Sequence, residues 1–199
     1  ELVATVLFMD IRGFTTISEK LQPGELLLWV NRYLETMTDC IMDHGGVVDK
    51  YIGDAIMAVF GVPFPRTTTA EMQQDALNAI AASLEMHDRL QQLNQESAAA
   101  GKPLIRFGIG VHTGLVVAGS VGGHRRLNYS VLGDTVNIAA RLEALNKEIQ
   151  ANNPYDLLVT GETLSCLRHE YHSHLVGTYP LRGRENATLV FSILGKNHP

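Results

Sequence analysis

Residues 3–9, VATVLFM, are apolar apart from one threonine and rich in β-branched side chains, and they stop at Asp10. No polar and apolar alternation runs through them, so a strand formed here is buried rather than half exposed. Just beyond the acid, Arg12-Gly13-Phe14-Thr15 leads into a helix start, where backbone N–H groups are free. A carboxylate in that position can hold a hard cation against a phosphate. It can also simply end the strand and cap the helix, and on spacing alone that plainer role is the more economical.

The rest of the chain alternates short strands with amphipathic helices. A short helix is expected over residues 15–20, and a longer one starts at Pro23. In the latter Leu26, Val30, Leu34, Met37 and Ile41 recur at three- and four-residue steps until Gly45-Gly46 closes it. VVDKYIGDAIMAVFG then reads as a hairpin turning at Gly53-Asp54. Residues 69–96, rich in Ala, Leu, Glu and Gln, predict a long helix. Strands are expected at 105–111, 115–121 and 127–132, and Asp134 is expected to cap a helix over 134–149. Strands at 157–160, 173–179 and 188–194, around a helix at 162–167, complete the pattern. The order β-α-β-β-α-β with further pieces predicts an α+β fold: a ferredoxin-like βαββαβ core with a C-terminal α/β extension. Residues 1–199 read as a single domain.

Composition excludes several classes. With 199 residues, 45% of them hydrophobic, the chain can bury a core. A net charge of −5 and a pI near 5.9 argue against a nucleic-acid partner. Only 7% of residues are aromatic, which also disfavours an RNA-reading sheet of the ferredoxin-like type. The longest apolar runs, 26–30 and 58–62, fall far short of the roughly 20 residues of a membrane span. No signal peptide pattern is present. Cys40 and Cys166 read as reduced thiols of a cytoplasmic protein. A start at Glu1, directly in a strand, reads as a fragment of something longer, whose remainder could carry a sensor or a membrane attachment.

Three constellations bear chemistry. Asp54, at the hairpin tip, is by itself an ordinary turn acid. If its strands pair beside the first one, however, Asp54 and Asp10 converge, and paired carboxylates sharing two cations suit in-line displacement at phosphorus. Asn137 and Arg141 are four apart on one predicted helix and share a face. An amide and a guanidinium there suit a sugar and a phosphorane, although a solvated stripe or a structural ion pair would also explain them. Lys50 lies four residues before Asp54, and Ser130 lies just before the helix cap. The basic pairs Arg125-Arg126 and Arg182 with Arg184 fit phosphates or solvent equally well.

Together the segments FMDIRGFT at 8–15, DKYIGDAIMAVFG at 49–61, GVHTG at 110–114 and YSVLGDTVNIAARL at 129–142 resemble the catalytic domain of class III nucleotidyl cyclases. The resemblance covers nearly the whole chain and is far more specific than one glycine motif. It implies conversion of a nucleoside triphosphate to its 3′,5′-cyclic monophosphate with release of pyrophosphate. Asp10 and Asp54 match the acids that bind two Mg2+ or Mn2+ ions, with the Ile11 carbonyl as a further ligand. The amides around Gly13, Phe14 and Thr15 match the phosphate cradle. Asn137 matches the ribose-orienting amide and Arg141 the transition-state arginine. Arg125 and Arg182 fall where the family has basic phosphate contacts. Lys50 and Ser130 match the base-reading positions. Lys at the first is the adenylyl pattern, and a hydroxyl at the second resembles the Thr or Ser subgroup, often bicarbonate-responsive. The resemblance therefore implies ATP as substrate, bicarbonate as an effector, and a homodimer whose two sites each draw on both chains. A guanylyl cyclase and a catalytically silent nucleotide-binding domain are the alternatives.

Overall fold

A computed structural model describes residues 1–149, 152–180 and 187–197. The N-terminal run forms β1 (Leu2–Ile11), and Asp10 is its penultimate residue rather than the residue after it. A short α1 (Phe14–Ser18) leads to α2 (Pro23–Asp43). Pro23 takes the first helical position, and the helix ends in a Schellman turn. There Gly46 N–H donates to Ile41 O, Gly45 N–H donates to Met42 O, and Gly45 sits at φ 76°.

The hairpin follows as β2 (Val47–Ile52) and β3 (Ala55–Phe60). Then comes α3 (Thr69–Ala99), opened by a reciprocal Thr68–Glu71 capping box. The remaining elements are β4 (Phe107–Gly123), β5 (Arg126–Leu132), α4 (Asp134–Leu145), β6 (Leu157–Thr160), α5 (Gly161–Cys166), β7 (Tyr171–Tyr179) and β8 (Thr188–Lys196).

The sheet runs β2-β3-β1-β4-β6-β8-β7, with β5 paired to β4. Its first four strands are antiparallel neighbours in the order of a ferredoxin-like core, as expected. The extension joins through β6, parallel to β4, with β8 and β7 beyond it. Side chains alternate along β1, as strand geometry requires. Leu7, Met9 and Ile11 enter the core beneath α2 and α3, whereas Leu2, Ala4 and Val6 enter the one under α4 and the β4–β5 ribbon. Both faces of the strand are covered, which is what a run without alternation demands.

Several boundaries shift from expectation, and four of the differences have a visible physical cause. The two strands expected at 105–111 and 115–121 are a single strand, β4. Its ladder with β1 continues through Thr5↔Thr113, Ala4↔Gly114 and Val3↔Leu115, so the glycines do not interrupt it. Residue 105 lies before the strand, its N–H and C=O both bonded to the Asn94 side chain. Helix α4 stops at Leu145 instead of 149. The Asn146 side chain leaves the helix to donate to Ile109 O and Asp156 O and to accept from Asn153. Finally, Gly133, at φ 136°, is the N-cap of α4, and Asp134 lies inside the first turn, where a negative charge favours the helix dipole.

Helix α4 sits close enough to β4 to leave no room for a side chain at Gly110. A Cβ there would lie under 3.0 Å from the backbone of both Glu143 and Ala139. Gly110→Ala is therefore expected to destabilise the chain by about 2 kcal/mol, since helix backbone must move. That corresponds to a fall of roughly 4–8 °C in the melting midpoint, read by calorimetry. An unchanged midpoint would contradict this packing.

Candidate active site

Antiparallel pairing of β1 with β3 runs from Thr5↔Phe60 to Met9↔Ile56. Two steps further along the same register, Asp54 falls opposite Ile11. Gly53, at φ 64°, occupies the first position of the two-residue turn, where a side chain would be strained. Ile11 N–H donates to Asp54 Oδ2 at 3.2 Å, which ties the hairpin to the end of β1 beside Asp10. The two predicted acids do converge. Burial, followed by the adjoining Asp10 carboxylate, pushes the Asp54 carboxyl up to about 6.

Sequence reasoning missed the residues around this pair. Lys147 Nζ lies 3.3 Å from Asp10 Oδ2 and 3.9 Å from Glu143 Oε1. Burial pushes the Glu143 carboxyl up to about 7, Lys147 opposes this, and Asp10 adds to it. The buried Tyr33 hydroxyl has no hydrogen-bond partner among the described residues. Burial first, then the charges of Asp54, Asp10 and Glu143, hold it firmly protonated. Asp10, Asp54 and Glu143 thus bring three carboxylates together, with Lys147 paired to two of them and the Arg12 charge also felt by Glu143, and such a concentration of acid fits a divalent cation. Among the described residues no three His, Cys, Asp or Glu side chains form a metal cluster. Nothing local marked Lys147 and Glu143 as site residues: they reach Asp10 only through the packing of α4 on the sheet.

Gly13, Phe14 and Thr15 form the turn from β1 into α1. Gly13 lies in the left-handed region at φ 66° and its carbonyl accepts the Ile17 N–H. The first amides of a helix have no intrahelical acceptor, and here that turn follows the end of β1 directly. Next to the turn, Arg12 donates to Asn146 O at 2.9 Å and pairs with Asp156 at 3.2 Å.

Lys50 and Ser130 also come together, through a residue the sequence did not single out. Ser130 Oγ donates to Asp49 Oδ2 at 2.9 Å, and Lys50 Nζ lies 3.2 Å from the same oxygen. The ribbon makes this contact possible. Val116, Ala118 and Val131 pack over Val6, Met57 and Val59, so β5 crosses the sheet as far as β2.

Asn137 and Arg141 lie off the apolar face of α4. Ile138, Ala139 and Leu142 are buried, while Asn137 is exposed and Arg141 half-buried. Glu143 faces the acids, and Arg141, two residues earlier, is turned roughly 200° around the helix from it. Arg125 lies in the exposed turn between β4 and β5, at the tip of a ribbon exposed throughout residues 120–129. Arg182 and Arg184 lie outside the described residues.

Residues 3–194 match the family model described as adenylate and guanylate cyclase catalytic domain. Adenylate cyclase 1 of Rhizobium meliloti is 32% identical over 191 residues, covering 96% of this chain and 27% of its own length. The adenylate cyclase of Anabaena cylindrica is 35% identical over 196 residues, 95% of this chain and 36% of its own length. The chain thus spans about a third or less of these relatives. Among solved structures, the adenylyl cyclase CyaB from P. aeruginosa superposes with a TM-score of 0.86 at 29% identity, covering 98% of this chain and 95% of that one. The guanylyl cyclase Cya2 superposes at 0.84 and 32%, covering 99% and 94%. Backbone likeness therefore does not distinguish the two bases.

Glu143 gives a pH signature without any substrate. Its carboxyl titrates higher in the folded chain than in the unfolded one, so the folded state loses stability as pH rises from about 4.5 to about 7. With divalent cations chelated, Glu143→Gln is expected to raise stability by on the order of 1–3 kcal/mol at pH 8, with no gain below pH 4.5. Urea unfolding at the two pH values measures this, and a variant weaker at pH 8 would contradict it.

Proposed function

Because the chain belongs to the adenylate and guanylate cyclase catalytic domain family, we propose that it converts ATP to 3′,5′-cyclic AMP and pyrophosphate. The observation that carries this reading is the convergence of Asp10 and Asp54, fastened by the Ile11–Asp54 hydrogen bond. The ribose 3′-oxygen attacks the α-phosphorus in line. A new P–O3′ bond forms, the bond to the bridging oxygen of the β-phosphate breaks, and the 3′-hydroxyl proton passes to solvent. Nucleophile and phosphorus belong to one molecule, so orientation and charge neutralisation supply most of the acceleration.

Two Mg2+ or Mn2+ ions, held by Asp10, Asp54 and the Ile11 carbonyl, supply charge neutralisation at the attacking and leaving oxygens when bound. The amides of Gly13, Phe14 and Thr15 receive the terminal phosphates, and Arg125 and Arg182 add positive charge to them. Asn137 orients the ribose. Arg141 stabilises the charge on the pentavalent phosphorus. Lys50 donates to adenine N1, an acceptor, whereas guanine presents an N–H at that position. This is the feature that favours ATP, since the fold serves both nucleotides.

The active site in this reading is shared between two copies of the chain. The opposed directions of Arg141 and Glu143 on α4 support it, because one helix cannot present both to the same acids. So do Leu115, Val117, Val121, Leu127, Tyr129 and Leu132, large side chains left exposed on the ribbon. Bicarbonate as an effector belongs to the same reading and rests on the hydroxyl of Ser130 alone. A cytoplasmic location, where nucleoside triphosphates are held, also belongs to it. Among the described residues no helix is long and apolar enough to cross a membrane.

Incubation with ATP or GTP and Mg2+ or Mn2+, with chromatography of the product, tests the reaction. Cyclic AMP is expected from ATP, and no cyclic product from either would overturn the proposal. Asp10→Asn and Asp54→Asn are each expected to lower the rate by at least about a hundredfold without unfolding the chain. Sharing is tested by mixing Asp54→Asn with Arg141→Ala. Each alone is inactive, but half the dimers are mixed and each holds one whole site. Activity should return to about one quarter of wild type, by counting from two-fold symmetry. Mixed dimers proven by two-tag pulldown and still inactive would contradict a shared site.

A further inference from the structure

Asp49 is the one residue of β2 without a partner on β3. Register pairs Val48 with Ala58 and Lys50 with the next residue, Met57, so Asp49 is the extra residue of a β-bulge. In a regular strand the side chains of neighbours point to opposite faces. The bulge cancels this, and Asp49 and Lys50 meet at 3.2 Å. The Asp49 side chain is only 6% exposed. A carboxylate so covered is normally paired, and its partners here are Lys50 and the buried hydroxyl of Ser130, brought from β5 across the sheet.

The direction of the Ser130 bond has a chemical consequence. A serine hydroxyl carries one proton and two lone pairs, and an ionised carboxylate accepts only. In the bond to Asp49 Oδ2 the Ser130 proton is committed, and a charge-assisted acceptor is the strongest available. What Ser130 can still offer a ligand is a lone pair. Adenine presents an amino donor at position 6, and guanine presents a carbonyl acceptor there. A committed hydroxyl matches the first and opposes the second.

We propose that Asp49 is a positioning residue for base choice: it holds Ser130 as an acceptor for the adenine amino group. Asp49 itself does not touch the nucleotide. This rests on the reading of the chain as an ATP-using cyclase with Lys50 and Ser130 at the base. It explains how a serine, able to donate or accept, discriminates in one direction.

The test is the ratio of kcat/KM for ATP to kcat/KM for GTP, measured on the 199-residue chain with Mn2+ and accompanied by melting curves. Asp49→Asn keeps the shape but offers an N–H of its own, which frees the Ser130 proton to meet guanine. The ratio is expected to fall at least about tenfold, because a mismatched buried polar pair discriminates strongly. In a Ser130→Ala background the same change is expected to alter the ratio less than about threefold, since there is no hydroxyl to orient. A residue that only supports the fold would lower both substrates alike and leave the ratio in place. That outcome in a folded Asp49→Asn variant overturns the proposal, as does an equal fall with and without Ser130. If Asp49→Asn does not fold, Asp49→Ser is read by the same criteria. A wild-type chain that makes cyclic GMP in preference to cyclic AMP overturns the substrate reading itself, a result distinguishable from failure of the Asp49 role.

Discussion

Two carboxylates held side by side at the end of a sheet are the constraint that organises this molecule. Asp10 and Asp54 repel each other, and burial makes the repulsion worse, as the raised Asp54 carboxyl records. Backbone pairing overcomes it. The β1–β3 ladder fixes where the hairpin turn falls, and the Ile11 amide then bonds Asp54 in place. The surroundings share the load unevenly. Lys147 offers one ammonium, while Glu143 brings a third acid and Tyr33 a hydroxyl without a partner among the described residues. Carboxylates gathered in this way cost the fold stability that a cation, if bound here, would return.

The same pressure explains why glycines recur in β4. The extra acid, Glu143, reaches the cluster only because α4 lies nearly on the backbone of β4 at Gly110. Gly114 is comparably tight, with the Thr135 hydroxyl where a Cβ would go. Close helix–strand approach at these points sets the position of Asn137 and Arg141 as well, since they ride on the same helix. The side chains proposed as catalytic, far apart in the chain, are therefore positioned by contacts that are not themselves chemical.

Much of this was legible in the residues. The apolar run of β1, the Gly53-Asp54 turn, the Pro23 start and Gly45-Gly46 stop of α2, and the ferredoxin-like strand order all follow from local rules. So does the pairing of Asp10 with Asp54 once the hairpin is placed beside β1. What could not be read depends on tertiary contact. Strand β4 looks broken at Gly114 until its ladder with β1 is seen. Asp49 sits next to Lys50 in the chain, but a two-residue period sends them apart, and only the bulge joins them. Lys147 reaches Asp10 because α4 ends where it does. Asn137 and Arg141 share a face as expected, yet that face is turned outward.

The most direct measurement is a crystal structure grown with Mn2+ and the 3′-deoxy analogue of ATP, which cannot cyclise, with manganese located by its anomalous scattering. The account predicts manganese between Asp10 and Asp54 of one copy, within reach of the Ile11 carbonyl. It also predicts Arg141 of a second copy at the α-phosphate of the same nucleotide, with Lys50 and Ser130 at the adenine. Manganese bound away from the two aspartates, or the acids and Arg141 of a single chain closing on one nucleotide, would contradict it.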